Sequence, residues 1–327
     1  MPDDVPPDRR PRLTVIRGRK RGGSSAVHEG LVGARKLIGT PYLSDPALRA
    51  QYARDIAPRT EAALARVLAA LVGPPPSRAI DLGAGTGAVG RTLRARYGDG
   101  LDIVAVDRTA APGVLRANLA VELPAVEGRF DLVVAAHLLN ELYAERSPAE
   151  RTALRAARVL AWTRALLAPA GRLILIEPAL RETSRDLLAV RDRLLEAGLH
   201  VVAPCFWAGP CPALARDRDW CHDAAPVPSK PRVDFSYLVL TAEPAAPAPL
   251  YRVVSDPLPE KGRLRLFVCG PTGRLSLVRL DRHRAPANAA LDRATRGDAL
   301  ALDDAQRADD DSLRVAAGTT VALPHRG

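Results

Sequence analysis

The sequence predicts a doubly wound α/β domain with a cysteine-bearing insertion, followed by a small β-rich module. Between residues 78 and 241 short apolar runs alternate with helix-period segments, the pattern of a parallel sheet covered on both faces. A glycine-rich turn, Asp81-Leu82-Gly83-Ala84-Gly85-Thr86-Gly87, follows the first of those runs and opens a helix. The four cysteines come late, three in one proline-punctuated stretch and the fourth in a later segment.

Residues 1–44 read as a disordered basic leader, with its densest run at Arg17 to Arg21 (RGRKR) and one apolar patch around Leu37. From Ala47 to Leu71, Leu48, Tyr52, Ile56, Leu64, Leu68 and Leu71 recur mostly at three- and four-residue steps, so one or two amphipathic helices are expected there. Gly73 and the prolines 74–76 end them. A strand at 78–82 begins the alternating units: helix 87–97, strand 102–106, helix near 112–119, strand 130–136, helix 148–168, strand 171–177, helix 181–197, and strands 199–203 and 235–241. The α/β domain is bounded at 45–243, with the cysteine-bearing insertion at 204–232. A β-rich module at 244–300 follows from the runs Tyr251 to Val254, Leu264 to Val268 and Leu275 to Leu280. Asp303, Asp304 and Asp309 to Asp311 mark 301–327 as an acidic, solvated tail.

A chain of 327 residues suits one main domain with an appendage. No apolar run reaches the roughly 18 to 20 residues of a spanning helix, so no membrane partner is expected. The opening MPDDVPPDRR has acids and prolines where a signal peptide is apolar and a transit peptide acid-poor, which predicts a cytoplasmic protein. A net charge of +10, carried almost wholly by arginine, favours a polyanionic partner such as RNA, because guanidinium pairs with phosphate in a bidentate fork. An arginine-rich, lysine-poor surface is also what a GC-rich genome writes on any protein.

The glycines at 83, 85 and 87 let the backbone turn sharply and approach a ligand, beside the free N–H groups of a helix N-terminus. Asp81 precedes them at a strand end, and Asp107 ends the next strand in VAVD, where a carboxylate can accept hydrogen bonds from ribose hydroxyls. This form resembles motif I and the ribose-binding acid of class I S-adenosylmethionine-dependent methyltransferases, more closely than the G-x-G-x-x-G of dinucleotide binders. The resemblance implies that Asp81, Gly83, Gly85, Gly87 and Asp107 bind S-adenosylmethionine; a mere capping role for Asp107 is the plain alternative. No N/D-P-P-Y/F tetrad for base-amine methylation is present, and His137 after the fourth strand reads as a pocket-wall residue. Ala203-Pro204-Cys205 resembles the nucleophile motif of RNA cytosine-C5 methyltransferases, but its place after the sixth strand argues against that role. No catalytic residue can be named.

In a reducing compartment, Cys205, Cys211, Cys221 and Cys269 are not expected to form disulfides. Each stands beside a proline, glycine or aromatic turn, an arrangement that suits metal binding better than core packing. The tight C-x2-C knuckles of structural zinc are absent, and from spacing alone an iron–sulfur cluster and zinc stand level. His222 is a neighbour that could substitute as a ligand.

Taken in order, DLGAGTG at 81–87, LIEP at 175–178, APC at 203–205, CP at 211–212 and DWCH at 219–222 resemble one family. FSYLVL at 235–240, VCGPTG at 268–273 and RATRGD at 293–298 continue the likeness. It is the family of methyltransferase-like proteins associated with the small ribosomal subunit in bacteria and mitochondria. The resemblance implies a [4Fe–4S] cluster on the four cysteines and contact with the small ribosomal subunit and its rRNA. It implies either methylation of that rRNA, or non-catalytic assembly work with the fold as an RNA-binding scaffold. The chain departs from the family at Phe206 and Trp207, where a histidine is usual, and at Val233-Asp234, where an acid-lysine pair is usual.

Overall fold

In the computed structural model, which describes residues 25–227, 230–244, 249–309 and 311–324, two eight-stranded sheets carry the chain. An N-terminal cap precedes them: a helical turn α1 (Ala26–His28) running into a wider turn Glu29–Gly33, then α2 (Pro46–Asp55) and α3 (Ala57–Ala69). Asp45 caps α2 by accepting from the backbone N–H groups of Ala47 and Leu48 at 2.7 and 3.1 Å. The first sheet then follows as β1 (Arg78–Leu82), α4 (Ala88–Tyr97), β2 (Asp102–Asp107), β3 (Val114–Arg116), β4 (Phe130–Ala136), α5 (Pro148–Leu166), β5 (Leu167–Pro178), α6 (Arg181–Glu196), β6 (His200–Ala203), β7 (Asp223–Val227) and β8 (Lys230–Thr241).

Its strand order is β3-β2-β1-β4-β5-β8-β6, parallel from β3 through β5, with β8 antiparallel between β5 and β6. That order, with its one reversed strand, is that of the class I methyltransferase fold; β7 is an added strand on β8. Alternate sheet residues face opposite ways, which is why the central strands read as unbroken apolar runs. Ile80, Val133 and Leu175 pack with Val159, Trp162 and Leu194 of α5 and α6, while Val134 and Ile174 pack with Leu64, Leu68 and Leu93 of α3 and α4.

The second sheet comprises β9 (Tyr251–Val253), β10 (Leu258–Glu260), β11 (Arg263–Gly270), β12 (Gly273–Leu280), β13 (Ala299–Asp303), β14 (Gln306–Asp309), β15 (Ser312–Val315) and β16 (Thr320–Ala322). Val268, Leu277, Leu300 and Val315 form its own buried core. Among the described residues no helix is long and apolar enough to cross a membrane.

Four sequence expectations are corrected. The helix expected near 112–119 is the edge strand β3, paired in register with Ala105 to Asp107 of β2; Gly113, at φ +71°, turns the chain into it. The supposed leader folds from residue 25 onward, because Val27, Leu31 and Tyr42 bury with Ile56 in a small core of their own. The basic run 17–21 lies outside the described residues. The supposed acidic tail belongs to the second sheet: Leu313, Val315 and Val321 face inward, and Asp303, Asp304, Asp309 and Asp311 stand at strand ends and in the turns beside them, with Asp309 accepting from the N–H of Asp311 at 2.9 Å. Asp310 lies outside the described residues. The β-rich unit therefore runs on to residue 322 instead of ending at 300.

Candidate functional site

The glycine turn between β1 and α4 shows why its sequence is spaced as it is. Gly83, Gly85 and Gly87 hold φ values of +82°, +52° and +79°, a region that side chains with a Cβ rarely adopt. At Gly83 a Cβ would also meet Leu138 at 3.2 Å. Gly83 and Gly85 line a cavity of ≈ 1360 Å³ at the carboxyl ends of β1, β2 and β4, shared with Asp107, Tyr42, Asn118 and His137. Gly87 is set back from it as the residue preceding α4.

Asp107 accepts from the N–H of Gly85 at 2.9 Å and from that of Thr109 at 2.7 Å, so its carboxylate fastens the loop as well as facing the cavity. Asp81 is almost wholly buried, and both its carboxylate oxygens lack a hydrogen-bond partner. Burial first, and the Asp107 charge second, lift its pKa to about 8.

The N-terminal cap closes this cavity from above. Arg108 donates to the carbonyls of Gly39, at 2.9 Å, and Thr40, and lies 3.5 Å from Glu141. The Tyr42 hydroxyl donates to Glu141 Oε1 at 2.9 Å. Burial holds Glu141 up to about 7 and His137 down to about 4, the latter reinforced by the Arg59 charge. The loop after β4 turns at His137, whose φ is +59°, and is held from behind by Arg155. That guanidinium donates to the carbonyls of Leu142 and Asn140 at 2.9 and 3.1 Å and pairs with Asp186 at 2.7 Å. Tyr42, Arg108 and Arg155 were not singled out in the sequence; only the third dimension puts Tyr42 and Arg108 on the cavity and Arg155 behind its loop.

Cys205, Cys211, Cys221 and Cys269 are all free and partly exposed. Three lie in the loop between β6 and β7 and the fourth in β11, yet each acts electrostatically on others of the set. Burial and then the neighbouring thiols push Cys211 up to about 12; burial, then the other three, raises Cys269. For Cys221 burial raises the thiol while Arg252 opposes it.

Arg181 and Arg185 of α6 donate to carbonyls between Ala213 and Asp219 of the loop, and two further α6 residues without a sequence signal fix its first half. The fully buried Arg191 donates to the carbonyls of Gly209, at 3.0 Å, and Trp207, and Asp192 accepts from the N–H of Cys211 at 2.9 Å. Among the described residues no group of three or more His, Cys, Asp or Glu side chains is arranged to hold a metal ion. His222 is held neutral, at about 4, chiefly by burial.

The family model described as mitochondrial small ribosomal subunit Rsm22 matches residues 50–301. The chain belongs to the Rsm22 family. The match takes in the glycine loop, all four cysteines and the greater part of the second sheet. No curated protein matches the chain. Among solved structures, the mitomycin 7-O-methyltransferase MmcR is similar at 16% identity and a TM-score of 0.37, over 63% of this chain and 60% of that one. A TehB-like SAM-dependent methyltransferase from Corynebacterium glutamicum is similar at 19% and 0.38, over 61% and 100%. TrmN from Thermus thermophilus is similar at 20% and 0.37, over 59% and 52%. The likeness thus spans little more than half the length of two of these proteins, and the fold of this Rsm22 member rests on its own strand order and glycine loop.

Proposed function

We propose that this Rsm22-family chain binds S-adenosylmethionine and works on the small ribosomal subunit, contacting or methylating its rRNA, with a [4Fe–4S] cluster on Cys205, Cys211, Cys221 and Cys269. The observation that carries the reading is the glycine loop, fastened by Asp107 and opening on a large cavity above a buried Asp81 with no partner. Asp107 retains lone pairs for ribose hydroxyls, and Asp81, protonated below about pH 8 in the ligand-free chain, would give up its proton beneath the loop on binding a cofactor that carries an ammonium and a sulfonium. When bound, the cofactor supplies an electrophilic methyl group.

Four thiols drawn from two sheets to one neighbourhood, beside the buried cations Arg191 and Arg252, suit an anionic thiolate cluster. Burial and neighbouring thiols favour the protonated forms of Cys211, Cys221 and Cys269, and a bound metal centre would release those protons.

The ribosomal partner follows from the family, and rRNA as its contact from the net charge of +10. The cytoplasmic address belongs to the same proposal. A second reading, assembly work without turnover, is favoured by one observation: two proton acceptors on the cavity wall beside the loop after β4 are ill suited to catalysis, His137 being a weak base at about 4 and Glu141 already engaged by Tyr42.

Anaerobic purification with a visible spectrum and iron, sulfide and zinc analysis tests the cluster. Labelled-methyl transfer to small-subunit rRNA, beside co-sedimentation with the subunit, separates the two readings. Colourless protein containing one zinc would overturn the iron–sulfur assignment, and absence from the subunit fraction the ribosomal one.

A further inference from the structure

A second cavity, ≈ 760 Å³, lies against the first. Tyr42, Tyr52, His137 and Glu141 line both, so these side chains form the partition between them. Beyond the partition the walls are largely apolar and aromatic: Ile38 and Ile56 of the N-terminal cap on one side, Pro178 at the end of β5 and its β8 partner Phe235 on the other. The cavity therefore opens where the loop after β4 faces the cap, immediately beside the space assigned to S-adenosylmethionine.

Of its polar groups, Glu141, Asn140 and Asp234 are engaged by Tyr42, the His137 carbonyl and Arg232, and two others are not fully matched. Arg59 of α3 lines it, with Nε buried and lacking a partner; His137 lines it too, with Nδ1 likewise buried and unpartnered. Arg59 makes no ion pair among the described residues. Asp55, the acid that acts on it, is gripped by Arg54 through two bonds at 2.9 and 3.1 Å. A guanidinium on an apolar wall without an acid demands an acceptor, and buried polar groups in folded proteins are nearly always satisfied. His137 remains neutral and carries one acceptor nitrogen.

We propose that this second cavity receives a planar heterocycle bearing a carbonyl, the chemistry of guanine and of the pyrimidine bases, with its ring against Tyr42, Tyr52 and Phe235 and its carbonyl on Arg59. The proposal rests on the first cavity's being the cofactor site, and it names the class of group brought beside that cofactor. Aromatic walls supply stacking that any base satisfies. The single guanidinium adds selection, because adenine has no carbonyl to offer it.

The test uses the full chain saturated with S-adenosylhomocysteine, and titrates guanosine, cytidine, uridine and adenosine by ligand-observed NMR. Binding of the three carbonyl-bearing nucleosides at least about 10-fold more tightly than adenosine is expected. Arg59→Met should weaken them by roughly 10- to 100-fold, the worth of a hydrogen bond to a charged group, while leaving S-adenosylhomocysteine affinity unchanged, since Arg59 does not line the first cavity. Ala63→Leu, which places bulk in the second cavity, should abolish nucleoside binding.

Nucleoside binding that survives both substitutions overturns the proposal, as does equal binding of adenosine. No nucleoside binding with S-adenosylhomocysteine still bound overturns the second cavity alone. Failure of S-adenosylhomocysteine itself to bind overturns the cofactor reading and the proposal with it.

Discussion

Arg252 of β9 reaches Asp223 of β7 with Nη2 and Oδ2 2.7 Å apart, and both side chains are buried where the two sheets meet. The same guanidinium lies 5.5 Å from the centre of the Tyr237 ring on β8 and donates to the Gly297 carbonyl at 3.4 Å. Gly297 has to be glycine: its φ is +91°, and a Cβ there would lie 2.4 Å from Asp223 Oδ1. A pair so enclosed has given up its water, so removing one partner strands the other charge. Asp223→Asn or Arg252→Met is expected to destabilise the protein by about 3–5 kcal/mol, read as a lower urea midpoint. A midpoint shift below roughly a fifth of that would mean that water reaches the pair.

The glycine loop predicts a separate loss. Gly83→Val puts a β-branched residue at φ +82° and against Leu138, at a conformational cost of about 1–2 kcal/mol before any clash. Since Gly83 lines the first cavity, S-adenosylmethionine affinity measured by calorimetry should fall at least about 10-fold, with far-UV circular dichroism unchanged. Undiminished affinity would move the cofactor elsewhere.

The parts of this molecule that were legible in its sequence are those where one residue type answers one local demand. Alternate glycines at 83, 85 and 87 meet three left-handed positions in a row, and the apolar runs 78–82 and 130–136 are strands buried on both faces. What stayed hidden depends on partners distant in sequence. Ser312-Leu313-Arg314-Val315 is a strand because it pairs in parallel with Ser276 to Arg279 of β12, and neighbouring acids masked its alternation. Arg59, Arg155 and Arg191 looked like three among many surface arginines. Their roles come from burial, which composition does not report.

Asp81 predicts a pH dependence. Its pKa stands at about 8 in the folded chain against 3.8 for a free side chain, so the folded state holds the proton more tightly. The stabilisation from that proton is fully present below about pH 4 and is lost as pH rises through about 8, because there the folded state must bury a charge. Asp81→Asn stays neutral throughout. In the ligand-free protein, the melting temperature of Asp81→Asn relative to wild type should therefore rise from pH 5 to pH 9. At pH 9, where the wild-type carboxyl is ionised, Asp81→Asn should bind S-adenosylmethionine more weakly, having lost the anion beneath the loop. A melting difference flat across that range would mean that Asp81 is ionised at pH 5 already.

A cluster on the four thiols would tie the insertion to β11, since Cys269 comes from the second sheet and Cys205, Cys211 and Cys221 from the loop after β6. A cluster bridging them would act as a covalent clasp beside the Arg252–Asp223 pair, and its loss would loosen the join without touching the glycine loop on the far side of β4. Cys211→Ser is expected to lower iron and sulfide content and co-sedimentation with the small subunit together, and to leave S-adenosylmethionine affinity within about twofold of wild type. Asp192→Asn probes the same join without altering a sulfur. It weakens the acceptor for the Cys211 N–H, 2.9 Å away, and should lower iron occupancy partially. If Cys211→Ser loses its iron and still sediments fully with the subunit, the cluster serves something other than the subunit-binding surface.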